Sequence, residues 1–94
     1  MNIHEAKKLV IEVLTEIQTI SGRPPLSIDD ACVPLCGLQD FDSFNALEAT
    51  CELAVRLGKN IPFDENVCWD DVKGKARSVL EIAQTLCDYP DSTG

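Results

Sequence analysis

A small all-α bundle of four helices, three long and one short, is predicted for this chain by three observations. Apolar residues return at intervals of three and four in three separate segments. Glycine and proline punctuate the stretches between them. No stretch of any length alternates apolar and polar residues as a half-buried strand does. Ninety-four residues suit one domain with one modest core, placed at residues 3–87 and followed by a polar tail, 88–94, expected to fray.

Ile3, Ala6, Val10, Val13, Ile17 and Ile20 form one apolar stripe, so the first helix covers the N-terminal twenty residues. "SGRPP", residues 21–25, stops it with Gly22 and two prolines. Residues 21–42 then read as a long loop, yet an apolar one. Leu26, Ile28, Val33, Leu35, Leu38 and Phe41 can pin it over the core, with a short helical turn near Asp29–Val33 and a break at Pro34 and Gly37. The second helix runs over residues 43–57. Leu47, Thr50/Cys51, Ala54 and Leu57/Gly58 make its stripe, and Ala46, Ala49 and Leu53 widen it. Arg56 and Lys59 suit the negative end of its dipole, and Gly58 terminates it. Pro62 keeps the next segment irregular, Asp64 caps a single helical turn through Cys68, and Trp69 packs beneath the last helix. That helix spans residues 71–86, capped by Asp70 or Asp71, weakened near its start by Gly74, and striped by Val72, Ala76, Val79, Leu80, Ala83 and Leu86.

Composition narrows the function. A hydrophobic content of 45% is too high for a disordered tail. No apolar run reaches membrane-span length, since Glu12 interrupts Leu9–Leu14; no cleavage-site pattern follows Lys7-Lys8, so a cytoplasmic monomer is expected. Five cysteines cannot all pair within one chain. Cys32 and Cys36 have no second pair at zinc-like spacing, and the one histidine, His4, is distant in sequence; no metal site is expected and the thiols read as structural. The net charge is −8, and the whole excess lies in residues 29–71, where ten acids face two bases. Phosphates of nucleic acid would be repelled, whereas a partner with a basic docking surface would be steered there.

In the middle of that acidic region stands "FDSF", residues 41–44, at the start of the second helix. In the plainest reading Asp42 or Ser43 caps the helix and Phe44 joins the core. A sharper reading makes Ser43 an attachment point. A phosphate esterified to its hydroxyl would meet the unpaired N–H groups and the positive end of the helix dipole. Asp42 beside it is placed to help hold the metal that a phosphotransfer enzyme brings. Phe44 would fix the turn by burial and leave Ser43 facing out.

"DFDSFNALEATCELAVRLGKNIPFDENVCWDDV", residues 40–72, resembles the central part of an acyl carrier protein. That family carries Asp-Ser-Leu at the start of its second helix, and Asp42-Ser43 match the first two positions. Glu48 falls where the family often places an acid, Ile61-Pro62 matches an Ile-Pro after the second helix, and Val72 matches a valine opening the last one. The helices agree in order and length, so the resemblance spans residues 3–87, and "PLCGLQDFDSF" is similar to specialised free-standing bacterial members. Phe44 departs from the usual leucine, Asp70-Asp71 from capping threonines, and Arg56 and Lys59 from the acidic helix end of a housekeeping fatty-acid carrier.

The resemblance implies a bundle of acyl-carrier-protein type. It also implies a non-catalytic carrier whose Ser43 receives 4'-phosphopantetheine from coenzyme A by the action of a phosphopantetheinyl transferase. The arm would hold acyl intermediates as thioesters for a specialised lipid, polyketide or other secondary biosynthetic pathway. Asp42 and Phe44 would flank the arm. Asp40, Glu48, Glu52, Asp64 and Glu65 would dock the acyl-loading, acyl-transfer or modifying enzymes. Ala46, Ala49 and Ala54 leave less bulk to displace if the core parts to shelter an acyl chain. Two other readings stand beside this one: a peptidyl or aminoacyl carrier, and an unmodified helical interaction module. A serine hydrolase is the least favoured reading, since there is no Gly-x-Ser-x-Gly and His4 is the one histidine.

Overall fold

The computed structural model describes residues 2–23, 28–62 and 64–91. Among these, helices α1 (Ile3–Ile20), α2 (Pro34–Gly37) and α3 (Ser43–Leu57) are followed by strands β1 (Trp69–Asp70) and β2 (Lys75–Ala76), and then by helix α4 (Val79–Asp88). The domain is mostly helical, with one small antiparallel hairpin pairing Trp69 with Ala76 and Asp70 with Lys75.

α1 begins where the Asn2 side chain accepts the Glu5 N–H at 2.9 Å. It packs against both α3 and α4. Val10, Val13, Leu14 and Ile17 meet Ala46, Ala49 and Leu53 of α3 and Val79, Ile82 and Leu86 of α4 in one core. Leu38 and Phe41 enter the same core from the long connection, with Ile28 and Leu35 partly buried against it, as the apolar character of that segment predicts. Leu26 lies outside the described residues. Ile20, expected on the buried stripe, is exposed, and Gln18 is fully buried in its stead. The stripe drifts because 3.6 residues per turn carries a three-and-four pattern off one face over five turns.

The short helix is not at Asp29–Val33 or after Asp64. It is α2, where Pro34 opens the helix, a position that wants no N–H. The segment 64–68 forms turns instead. The predicted last helix also starts too early. Gly74 takes φ 65°, and its N–H returns to the Asp70 carbonyl at 2.7 Å. Asp70 Oδ1 accepts the Val72 and Lys73 N–H groups, each at 3.0 Å. Those bonds close a tight turn and leave β1 and β2 side by side. As a result Val72 is 97% exposed rather than in the core, and Trp69 is partly exposed on the hairpin rather than beneath a helix.

α4 starts at Ser78, not at Asp70 or Asp71. Ser78 Oγ accepts the Glu81 N–H, and the Glu81 carboxylate accepts the Ser78 N–H, a reciprocal cap written in the sequence as Ser-x-x-Glu. The N–H groups of Val79 and Leu80 go to the carbonyls of Cys32 and Asp30, at 2.8 and 3.1 Å. The long connection thus satisfies the first turn of α4, and Lys7 pairs with Asp30 from the α1 side at 2.9 Å. After α4 the chain is not frayed through residue 91. Tyr89 packs on the core, Asn60 N–H reaches the Pro90 carbonyl at 2.8 Å, and Lys59 bonds the Tyr89 carbonyl and Asp91, both at 3.0 Å. Residues 92–94 lie outside the described residues.

Thr50, fully buried on α3, joins this helix to the segment before the hairpin. Its hydroxyl donates to the Ala46 carbonyl at 2.8 Å and accepts the Val67 N–H at 3.1 Å. Thr50→Val keeps the shape and strands the Val67 N–H, so it should destabilise the fold by about 1–3 kcal/mol, measured by urea denaturation. The acid in the α4 cap and the acid that closes the hairpin turn give a second expectation. Glu81 is held below its ordinary range first by the Ser78 backbone hydrogen bond, and Asp70 first by that of Lys73. Their contribution is present above the carboxylate range of the unfolded chain, about pH 4, and is lost as pH falls through the depressed folded values. Glu81→Gln should therefore flatten the acid limb of a thermal-stability profile and leave the neutral limb parallel to wild type.

Candidate functional site

Ser43 is the first helical residue of α3 and is exposed. Asp42 precedes it in extended conformation, φ −107° and ψ −173°, as the N-cap. Its Oδ1 accepts the Asn45 N–H at 3.0 Å, and Asn45 Oδ1 accepts the Asp42 N–H at 3.4 Å. Asn45 thus completes a capping box with Asp42, a pairing not among the sequence expectations. The signal was the short polar side chain three residues past the cap.

Phe41 and Leu38 hold this corner down; both are nearly fully buried. Phe44 does not help them. At 79% exposed it points into solvent, which corrects the expectation that it fixes the turn by burial. The reason is angular: at about 100° per residue, position 44 lies nearly opposite the buried positions 46 and 53. Phe41, one residue before the cap, already fills the space below. Phe44, Cys51 and Val55 recur at seven and four residues along the outer face of α3, all exposed, with Glu48 and Glu52 along one side.

The acidic candidates divide by element. Asp40 and Asp42 immediately precede α3, and Glu48 and Glu52 lie on its exposed side. Asp64 and Glu65 are exposed in the connection after α3, where Glu65 accepts the Tyr89 hydroxyl at 3.4 Å. Glu52 is not free: Arg56 Nε donates to it at 2.8 Å, and the same guanidinium donates to Glu16 of α1. These side chains rim a groove of about 150 Å³ between α1 and α3, floored by Val13 and Ile17 and bordered by the exposed Ile20. Glu16 had no sequence signal linking it to α3, since 40 residues separate it from Arg56. Ala46 and Ala49 are fully buried in the closed core, and Ala54 is half-buried.

From the α1 side Arg23 reaches this corner. Its Nη1 donates to the Asp40 carbonyl at 2.8 Å and its Nη2 to Asn45 Oδ1 at 3.1 Å. Asp40 itself stands at φ 55°, a left-handed conformation unusual for a residue with a side chain. No helix among the described residues is long and apolar enough to cross a membrane.

The thiols do not share one environment. Cys68 is buried, and burial pushes its thiol up to about 12, whereas Cys36 and Cys51 are exposed, so the reading of the thiols as small buried residues does not hold for those two. A charged alkylating reagent at neutral pH should label Cys36 and Cys51 first and Cys68 only after unfolding, resolved by peptide mass mapping.

Compared with protein-family models, curated proteins and solved structures, the chain matches none of them.

Proposed function

We propose that the chain is an acyl carrier protein, loaded at Ser43 with 4'-phosphopantetheine and serving a specialised lipid, polyketide or other secondary biosynthetic pathway. The observation that carries the reading is the placing of Ser43: an exposed hydroxyl on the first residue of a 15-residue helix, beside the Asp42 cap. The first helical N–H groups and the dipole favour the phosphodiester that the arm would introduce. In the loading step the Ser43 oxygen bonds to the phosphorus of coenzyme A that bears the pantetheine. The pyrophosphate linkage breaks, the adenosine bisphosphate leaves, and the hydroxyl proton passes to a base of the transferase. Asp42 would lend its carboxylate toward the transferase's Mg²⁺. The chain itself catalyses nothing.

The outer face of α3 supports the same reading. Phe44, Cys51 and Val55 offer a narrow apolar strip, and Glu48 offers negative charge beside it, with Glu52 shared with Arg56. A partner with an apolar patch bordered by Lys or Arg fits both. Asp40, Asp64 and Glu65 extend the charge along the chain on either side. Such contacts are fast and salt-sensitive, as a carrier visiting several enzymes in turn requires. The exposed ring of Phe44 stands one residue from the arm, where a transferase or acyl-handling enzyme would meet it.

Incubation with coenzyme A, Mg²⁺ and a broad-specificity phosphopantetheinyl transferase should add one phosphopantetheine mass to the wild-type chain and none to Ser43→Ala. An unchanged wild-type mass would instead favour the unmodified interaction module, for which Ser43 is part of a cap and the α3 strip is the working surface. Loading by an amino-acid-activating enzyme, with no acceptance of acyl groups, would favour the peptidyl or aminoacyl carrier.

A further inference from the structure

We propose that Arg23 is a positioning residue for Ser43: its guanidinium clamps the Asp40 carbonyl to the Asn45 side chain, so that the turn leaving α1 sets how the start of α3 is presented. The inference rests on Ser43 being the modified residue and names what holds that site in place.

The clamp begins in the backbone. α1 ends in a two-bond motif: Arg23 N–H returns to the Gln18 carbonyl at 2.8 Å and Gly22 N–H to the Thr19 carbonyl at 3.1 Å, with Gly22 at φ 73°. This fixes the Cα of Arg23 relative to α1. Its side chain is half-buried and crosses to the corner before α3. There the planar fork serves two acceptors on different sides of the cap, the Asp40 carbonyl and Asn45 Oδ1. Gln18, fully buried on the last turns of α1, donates its Nε2 to the neighbouring Gln39 carbonyl at 2.9 Å. Two successive carbonyls, 39 and 40, are therefore taken by side chains from the end of α1.

Both bonds act where the chain needs support. Asp40 at φ 55° is a costly conformation for a non-glycine residue and persists only if its surroundings hold it. Asn45 is the other half of the cap around Ser43, because its Oδ1 also accepts the Asp42 N–H and its own N–H binds Asp42 Oδ1. Ser43 lies between those two residues. Tension on Asn45 from Arg23 reaches Ser43 through one hydrogen-bonded ring. Lysine has one ammonium on a flexible stem and cannot serve both acceptors in a fixed plane, so the role belongs to the fork and not to the charge.

The experiment compares wild type, Arg23→Ala and Arg23→Lys by two measurements. The first is amide hydrogen exchange at Asn45 and Ala46, with the amides of α4 as an internal reference. The second is the transferase assay with coenzyme A, split into kcat and KM. Both variants should raise exchange at Asn45 and Ala46 on the order of tenfold, the scale of one charge-assisted hydrogen bond, with α4 unchanged. Both should lower kcat for Ser43 modification more than they raise KM. Full retention of local protection and of kcat in Arg23→Ala overturns the proposal. So does full rescue by Arg23→Lys, which would show a charge effect alone. If Arg23→Ala loses α4 protection too, it has unfolded and Arg23→Lys decides. If wild type is not modified, the carrier reading falls, while the exchange comparison still supports or overturns the clamp.

Discussion

The burial of Leu38 and Phe41 beneath the start of α3 is the contact on which the rest of the molecule depends. Some twenty residues separate α1 from α3, and each one held in place carries a backbone entropy cost of about 1–2 kcal/mol. A polar loop of that length has nothing to set against such a cost. Here two large side chains enter the core cluster, α2 shortens the path, and the carbonyls of Asp30 and Cys32 take the first N–H groups of α4. The connection is thus a packing layer, and it fixes the corner from which Ser43 emerges.

That corner is built from short-range and long-range parts, and they were not equally visible in the sequence. α3 was legible to its end residues, because Asp42 caps it, Gly58 stops it at φ 62°, and small and large apolar residues recur between them. Ser43 is exposed as expected, but not for the reason expected: Phe44 is in solvent and Phe41 is the buried ring at this corner. Asn45, three residues beyond the cap, was legible in principle. Arg23 was not, because nothing in a linear string places a residue 22 positions earlier against Asn45. The end of α1 does that by turning the chain back at Gly22.

The misplaced elements show which local signals win. The valine, alanine and leucine positions from 72 onward fit a helical stripe, yet Gly74 and the Asp70 turn convert the first half into a hairpin. A strong reciprocal cap at Ser78 then sets the true helix start. Periodicity identifies that a segment can be helical; caps and left-handed residues decide where it begins. Phe44 shows the other limit. Its size argued for burial, but burial depends on azimuth and on whether the space is already taken, and Phe41 had taken it.

An aromatic ring in water, on the outer face of a helix, is a standing invitation to another copy of the same chain. The charge of −8 opposes that contact by mutual repulsion. The acidity therefore also insulates one molecule from the next. That protection is ionic, so high salt or a pH near the isoelectric point weakens it and leaves Phe44 and Val55, each 79% exposed, open to contact between copies.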